Sequence, residues 1–432
     1  MIKKTREKIY VLSQRWGGRL GLDLPYFVKN GFWVALRQGA GVVAGLALSV
    51  TFARLASQEV YGQYQFVLSV LSIVSILSIP GLNLSITQSA ARGHDGDYKE
   101  VVKVSFLWSL LGIPALLAVG AYYYATRSHP LGIAFMITAI FFPFFYAPNT
   151  WDSFLQGKGR FDVVTKYGIV QSMVNALATM VVIFFSRTSL IPIIMMYLVS
   201  YTFFNGYFYW RSLRYIENGK KDKDVFRYGW FMNKINFLGV IAANIDSVLV
   251  GIFLGPVNLA VYAIVSLVSN RLSALLKSFF SVIFPKIAQS EKSFSELLKI
   301  HRSKVAFFVF FSFVSSAIFY AFIPGVNQLL FGDKYAPFFS LSRIFFISIF
   351  FYFSTAFFGY YVNAVKDNLS IWLSGPVFYV IKIIINFYLI FYYHLIGAIW
   401  AANLIMIILF ILYILGILRT EKNRHVSGAS CG

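Results

Sequence analysis

The sequence contains few charged residues and a single cysteine, and both shortages restrict the class of protein. Charged residues make up 13% of the 432 positions and hydrophobic residues 58%, whereas a soluble domain has about 25% charged and about 45–50% apolar residues. This composition excludes an ordinary soluble domain and a disordered chain. Cys431 is the only cysteine, which excludes an intrachain disulfide and a secreted disulfide scaffold. The class that remains is a polytopic membrane protein.

Apolar runs recur along the chain, and each is long enough to cross a bilayer, which takes about 20 residues. They predict an all-α polytopic membrane protein with about 12 transmembrane helices, in two groups of six on either side of the polar stretch 211–229. The predicted spans are 33–53, 63–83, 103–125, 131–151, 167–186, 190–210, 230–254, 257–284, 304–325, 341–364, 371–391 and 395–418.

Acidic residues are scarce, and the bases are unevenly distributed. The chain has 17 Asp and Glu against 38 Lys and Arg, for a formal net charge of +21. About 28 of the bases fall on the side of the membrane where the two termini lie, and about five fall on the opposite side. An excess of Lys and Arg on one side is typical of cytoplasmic loops. The sequence therefore predicts a protein of the inner membrane with both termini in the cytoplasm. It predicts anionic lipid or an anionic substrate as the partner, and no nucleic acid.

These segments give a predicted domain organisation. A basic cytoplasmic segment precedes the first six spans, and a cytoplasmic linker and tail flank the last six. The predicted boundaries are 1–31 for the N-terminal segment, 32–211 for the N-lobe, 212–228 for the linker, 229–419 for the C-lobe and 420–432 for the tail.

The sequence also lacks the common motifs of enzymes and nucleotide-driven pumps. It has no Walker loop, no dinucleotide-binding glycine pattern and no paired metal-ligand spacing. The predicted outer loops are short. We therefore expect no cofactor, no metal site and no extracellular domain. The five histidines lie far apart, at His94, His129, His301, His394 and His425.

The two groups of six spans begin alike. An offset of 198 residues aligns 51–70 with 249–268 and places Tyr64 over Tyr262. A second echo pairs 154–164 with 361–371, each a short polar turn that holds a base. Six spans in each half suggest a parallel repeat about an axis along the membrane normal, with a substrate path between the halves.

The same segments carry a family resemblance. They are ARLASQEVYGQYQF at 53–66, NIDSVLVGIFLGPVNLAVYAIV at 244–265, LFGDKYAP at 330–337 and HLIGAIWAANL at 394–404. In order and spacing they resemble the polysaccharide-exporter branch of the multidrug/oligosaccharidyl-lipid/polysaccharide flippase superfamily, over roughly 32–418. The resemblance implies two six-helix lobes around a central cavity that moves lipid-linked saccharide. The peptidoglycan-precursor flippases carry two extra C-terminal spans, which are not predicted here. The resemblance therefore favours an O-antigen or exopolysaccharide repeat unit as the expected substrate.

Ionisable side chains within the spans are few, and each costs about 2.5–3.5 kcal/mol at the centre of a membrane helix. Arg271 and Lys382 lie too deep to reach the interface easily. Asp246 is the only deep acid in the predicted spans, so it cannot neutralise both bases. We therefore predict that Arg271 and Lys382 contact an anionic substrate.

Other polar positions leave alternatives open. Asp246 could form an ion pair with Arg271, or bind a proton or Na⁺ during transport. Arg37, Lys234 and Lys277 are further candidates for substrate binding, or could extend to the nearby interface. The Gly41-x-x-x-Gly45 pair indicates helix packing. Uncharged polar groups that could line a cavity or join helices are Gln38, Gln63, Gln65, Gln171, Asn175, Asn270 and Asn363.

The leading functional hypothesis is a flippase for undecaprenyl-diphosphate-linked oligosaccharide that works by alternating access. Its partners would be the anionic lipid-linked oligosaccharide, membrane lipids and an H⁺ or Na⁺ coupling ion. A drug/cation antiporter is the first alternative, and it predicts deep acids in the N-lobe. A membrane-embedded saccharide polymerase or glycosyltransferase is the second, and it predicts a sizeable outer loop.

Overall fold

The structure, a computed structural model, describes residues 24–288, 302–365 and 368–429. Side chains are described for residues 31–273, 309–359, 361–362 and 369–419. Within these ranges the chain forms helices joined by short turns, and no strand occurs. Residues 1–23 of the predicted N-terminal segment and 430–432 of the predicted tail lie outside the described residues, and the side chains of 1–30 and 420–432 are not described.

The first half of the chain contains nine helices. Two of the predicted spans are built from consecutive helices, and a short 3₁₀ turn, Ser75–Ser78, extends the second helix. The helices are α1 Leu24–Leu55, α2 Gln58–Val74, α3 Gly81–Ala91, α4 Asp97–Ser109, α5 Gly112–Thr126, α6 His129–Tyr146, α7 Trp151–Gly157, α8 Phe161–Phe185 and α9 Leu190–Ser212.

The described residues of the second half form longer helices. A 3₁₀ segment, Asp333–Phe345, precedes one helix, and a π-helical turn, Leu373–Val377, precedes the last. The helices are α10 Val225–Ala288, α11 Arg302–Phe331, α12 Phe346–Val365, α13 Asn368–Trp372 and α14 Phe378–Ala429.

The helices confirm the predicted multi-pass fold. Ten helical stretches among the described residues are long and apolar enough to cross a membrane. Two of them, Val225–Ser273 and Leu369–Arg419, are about twice the length of a single span. Each reverses at a residue with positive φ, Gly255 (φ 82°) and His394 (φ 54°). Divided at these residues, the stretches become twelve spans.

The helices extend beyond the predicted spans because polar residues within them face other helices rather than lipid. α2 begins at Gln58, whereas hydropathy placed the start of this span at 63. Ser57 caps α2, accepting a hydrogen bond from the backbone N–H of Val60 at 3.2 Å. Gln63 is buried in the same helix, and its amide donates to Glu59 one turn earlier at 3.2 Å and to the Ser128 hydroxyl, just before α6, at 3.4 Å. A hydropathy threshold excludes such polar turns from a span.

The apolar core lies in two layers. We call the membrane side where α1 begins the near face and the opposite side the far face. The larger cluster joins the two halves toward the far face and includes Phe52, Tyr61, Leu259 and Tyr335. A second cluster lies near the near face and is centred on the fully buried Trp151. Among the described side chains, the larger cluster therefore packs the two halves together at the far face.

The polar stretch between the halves is attached to the near face of the first half. Asp95 is fully buried and accepts bonds from the Lys158 ammonium at 3.0 Å and from the backbone N–H of Glu217 at 2.8 Å. Asp97, also buried, accepts from the backbone N–H of Asp222 at 2.9 Å. Burial opposes the charge on Lys158, but its bonds to Glu217 and Asp95 raise its pKa above the ordinary 10.5. Residues 217–222 are therefore held by buried carboxylates.

Candidate functional site

Arg271 reaches from α10 to α1 on the other half of the molecule. A methyl group added at Gly45 would lie 2.8 Å from an Arg271 guanidinium nitrogen and 3.3 Å from its Cζ. Among the described residues, Arg271 makes no hydrogen bond and no ion pair, and its side chain is only partly exposed. Tyr61 is near enough for an electrostatic interaction with the Arg271 guanidinium. The guanidinium therefore rests against bare helix backbone with its donors free.

The Gly41-x-x-x-Gly45 pair provides space on α1 next to the Arg271 side chain. Gly45 leaves room for the Arg271 guanidinium, and no atom lies within 4 Å of the position that a side chain at Gly41 would take. Gly41 also lines a cavity described below. The two glycines thus make space for a side chain and a cavity, whereas the sequence indicated contact with a neighbouring helix.

Asp246 is bonded to a tyrosine. The Tyr262 hydroxyl donates to Asp246 Oδ2 at 2.7 Å across the reversal at Gly255. Among the described side chains, no ion pair joins Asp246 to Arg271, so that expected pair is not formed in this structure. Tyr262 is buried and only sixteen residues away, and its hydroxyl bonds the carboxylate that the sequence had left open to Arg271, a proton or Na⁺.

Lys382 and Lys234 make no described contact with Arg271. Lys382 is partly exposed on α14, and the Asn386 amide one turn later donates to the Lys382 carbonyl at 2.9 Å. Neither Lys382 nor the exposed Lys234 has a side-chain hydrogen bond or ion pair within the described part of the chain. Lys277 lies outside the described side chains. No described contact joins these lysines to Arg271.

Arg37 has a carboxylate partner that the sequence analysis missed. Its guanidinium donates to both oxygens of Asp152, Nη1 to Oδ1 at 2.6 Å and Nη2 to Oδ2 at 3.3 Å. Both side chains are partly buried, with 32% and 22% exposed. Hydropathy ended the fourth span at 151, but α7 continues it to Gly157 and carries Asp152 inward. The sequence signal was the large apolar Trp151 directly before Asp152, which the structure buries fully.

The Arg37–Asp152 pair lies in a cavity of about 400 Å³ between α1, α7, α8 and α9, which we call the α1–α8 cavity. The Thr165 hydroxyl of α8 donates to the Trp33 carbonyl of α1 at 2.9 Å and holds the two walls together. A methyl group added at Gly168 would lie 2.9 Å from Arg37 Cζ, so this glycine provides the surface against which the guanidinium packs. Gln38, Gln156 and Tyr201 also line the cavity.

Two of the other predicted polar positions join helices. Gln171 is buried and its amide donates to Asn205 Oδ1 at 2.6 Å. Asn175 donates to the Tyr197 carbonyl at 3.0 Å. Gln65 donates to the Tyr61 hydroxyl at 3.0 Å within its own helix α2. Asn270 is exposed, and the side chain of Asn363 lies outside the described residues.

The far face is closed by basic side chains that cap helix ends across the two halves. The Arg54 guanidinium, at the end of α1, donates to the carbonyls of Leu330 at 2.9 Å and Leu329 at 2.6 Å, in the last turn of α11. In return the Lys334 ammonium donates to the carbonyl of Ala53 at 3.3 Å, in the last turn of α1. These carbonyls have no partner within their own helices and carry partial negative charge.

Close backbone packing accompanies these caps. A methyl group added at Gly62 of α2 would lie 2.9 Å from Pro256 Cα, and closer still to the Pro256 carbonyl group. Pro256 follows the reversal at Gly255, so this contact joins the first half to the second at the far face. Only a residue without a side chain permits this approach.

Comparisons with known proteins agree with this architecture. A family described as "Polysaccharide biosynthesis protein" matches residues 27–291, and a comparison with curated protein sequences gives no match. Among solved structures, an inward-facing multidrug resistance MATE family transporter of the MOP superfamily is similar, with a TM-score of 0.68 and 14% identity over 88% of this chain and 96% of that chain.

Two further structures share the fold. The lipid II flippase MurJ in an inward closed conformation has a TM-score of 0.60 and 14% identity, over 92% of this chain and 91% of that chain. A MOP superfamily transporter from Pyrococcus furiosus has a TM-score of 0.57 and 13% identity, over 92% and 95%. The likeness extends along nearly the whole of each chain.

Proposed function

Since the chain belongs to the polysaccharide biosynthesis protein family and has the fold of MOP superfamily transporters, we propose that it is a flippase for lipid-linked oligosaccharide in the cytoplasmic membrane. The substrate is an undecaprenyl-diphosphate-linked repeat unit used to build O-antigen or another polysaccharide. The near face and both termini are cytoplasmic, because the bases concentrate there.

The observation that carries the proposal is the Arg271 guanidinium between the two halves, which forms no hydrogen bond or ion pair with any described residue. A cation without a partner is costly within a membrane. A diphosphate supplies the missing negative charge, and the planar guanidinium matches phosphate oxygens in a two-bonded geometry. Lys382, also without a side-chain partner among the described residues, provides a second positive charge on α14. The roles of Lys234 and Lys277 in substrate binding remain predictions.

The closed far face supports an alternating-access cycle that begins on the cytoplasmic side. The caps at Arg54 and Lys334 and the contact at Gly62 hold the halves together at the far face. The α1–α8 cavity lies in the near half of α1. Rocking of the two halves would expose the site to the other side. Asp246, with its Tyr262 hydrogen bond, is the group in the second half that could bind H⁺ or Na⁺ during this step.

A drug/cation antiporter is the second candidate, and Asp152 is the observation that favours it, because an antiporter requires an acid in the first half. The carboxylate is already neutralised by Arg37 through two hydrogen bonds. A cation would have to displace this guanidinium. The flippase therefore accounts better for the charges in both halves.

Substitution of Arg271 tests the proposal. Replacing one charged donor to phosphate costs about 1.5–3 kcal/mol, so Arg271→Gln should reduce saccharide export at least tenfold, and Arg271→Lys should retain part of it. Protein levels should be normal, because no described residue forms a hydrogen bond or ion pair with Arg271. Lys166→Gln, an exposed base on α8, is the matched control. Wild-type export from Arg271→Gln would refute the proposal.

A further inference from the structure

We propose that the α1–α8 cavity is a binding subsite for the neutral sugars of the lipid-linked substrate, separate from the anion site at Arg271. This inference rests on the proposed function and divides head-group recognition between two places. The diphosphate is bound by Arg271, and the first sugars are bound by polar side chains around the Arg37–Asp152 pair.

The charges of the two places favour this division. The cavity contains one guanidinium and one carboxylate in direct contact, and its other lining side chains are uncharged, so its net charge is zero. A diphosphate placed there would be repelled by Asp152, whereas a neutral sugar would not. Arg271 has no acid bonded to it among the described residues. The anion and the sugars therefore have different preferred sites.

The cavity offers the hydrogen-bonding groups that sugar hydroxyls need. Each hydroxyl both donates and accepts, and a side-chain amide does the same. Gln38 and Gln156 line the cavity, and within the described part of the chain neither amide makes a hydrogen bond. Asp152 retains acceptor capacity and Arg37 retains N–H donors beyond the bonds that they share. The ring of Tyr201 provides an apolar surface for the C–H face of a sugar.

Size and position also fit a short saccharide. The volume of about 400 Å³ lies within the range of small-molecule pockets, about 300–1,000 Å³. Arg37, Gly41 and Gly45 are spaced four residues apart and share one face of α1. At 1.5 Å per residue, Arg37 lies about 12 Å along the helix from Gly45, where Arg271 rests. Gly41 lies between them, and no atom is within 4 Å of the position that a side chain there would take.

A binding experiment with two lipids separates the sites. The protein is purified in lipid nanodiscs, and its affinity is measured for undecaprenyl diphosphate and for the lipid-linked saccharide extracted from cells depleted of the protein. The double variant Gln38→Leu/Gln156→Leu should bind the saccharide-carrying lipid about tenfold more weakly, since two hydrogen bonds are lost, and undecaprenyl diphosphate as the wild type does. Arg271→Gln should weaken both lipids, and Lys166→Gln neither.

Each contrary outcome has a distinct meaning. Equal loss for both lipids in the double variant, or no loss for either, overturns the sugar subsite while leaving the flippase intact. Unchanged binding of both lipids, with an altered Na⁺ or pH dependence of transport, also overturns it and assigns the cavity to a coupling ion. If the wild-type protein binds neither lipid, the proposed function itself fails.

Discussion

Replacing Gly62 with alanine should open the far face of the protein. The added methyl group would lie 2.9 Å from Pro256 Cα, 0.5 Å short of the 3.4 Å of an ordinary contact, with the carbonyl group nearer still. Because the obstructing atoms are backbone atoms, no side-chain rotation relieves the clash, and the two halves must separate. Overpacking of this kind costs about 1–3 kcal/mol. A cost of about 1.4 kcal/mol changes the ratio of closed to open protein tenfold.

Cysteine labelling measures this ratio. In a Cys431→Ser background, a cysteine replaces Ala56, which is fully buried at the far face. We expect its reaction with a maleimide, on purified protein in nanodiscs, to be about tenfold faster when Gly62→Ala is present. Gly206→Ala is the matched control, since no atom lies within 4 Å of the position that its methyl group would take.

The control also separates packing from helix propensity. Alanine favours a helix over glycine by up to about 1 kcal/mol, so Gly206→Ala should raise the thermal stability slightly and leave labelling unchanged. An unchanged labelling rate in Gly62→Ala, in protein that unfolds at the wild-type temperature, would show that the halves do not depend on this contact for closure.

Three further perturbations have defined outcomes. Asp95→Ala leaves the Lys158 ammonium with one fewer acceptor and should lower the free energy of unfolding by about 1–3 kcal/mol, measured by thermal unfolding. Since the pKa of Lys158 is raised, the wild-type protein should keep the stabilisation from this ion pair below pH 10.5 and lose it as pH rises further. A wild-type unfolding temperature for Asp95→Ala would contradict this prediction. Lys334→Met should speed far-face labelling about two- to fivefold, because a helix-end charge is worth about 0.3–1 kcal/mol; slower labelling would contradict it. Lys223→Cys with Cys431→Ser should react with an impermeant reagent only in permeabilised cells, and reaction in intact cells would place the near face outside.

Hydropathy and charge were sufficient to predict the fold. The multi-pass helical fold is confirmed, with ten long apolar helical stretches among the described residues, because an apolar run of about 20 residues has few alternatives to a membrane helix. Even the two reversals fall where the sequence separates spans, at Gly255 and His394. The helix ends were less accurate, since polar residues such as Gln58 continue a helix once another helix satisfies them.

The contacts of the site could not be predicted in the same way. Arg37 and Asp152 are 115 residues apart, and no local pattern shows that α7 brings the acid to the base. The expectation of an Asp246–Arg271 ion pair rested only on the depth of the two residues in the membrane. Depth does not reveal that the Tyr262 hydroxyl bonds the same carboxylate. Pairing between distant helices depends on their rotation about their own axes, which hydropathy does not determine.

The caps at the far face have a consequence for how this protein tolerates mutation. Their acceptors are backbone carbonyls at Leu329, Leu330 and Ala53, so no change of side chain at those positions can delete an acceptor. In these caps, only the donor side chains of Arg54 and Lys334 can be removed by a substitution. A saturation-mutagenesis map should therefore show intolerance at Arg54 and Lys334, in addition to packing positions such as Gly62, and tolerance at the exposed Leu329, whose carbonyl is kept with any side chain. Lineages could vary this helix end while the closing interaction persists.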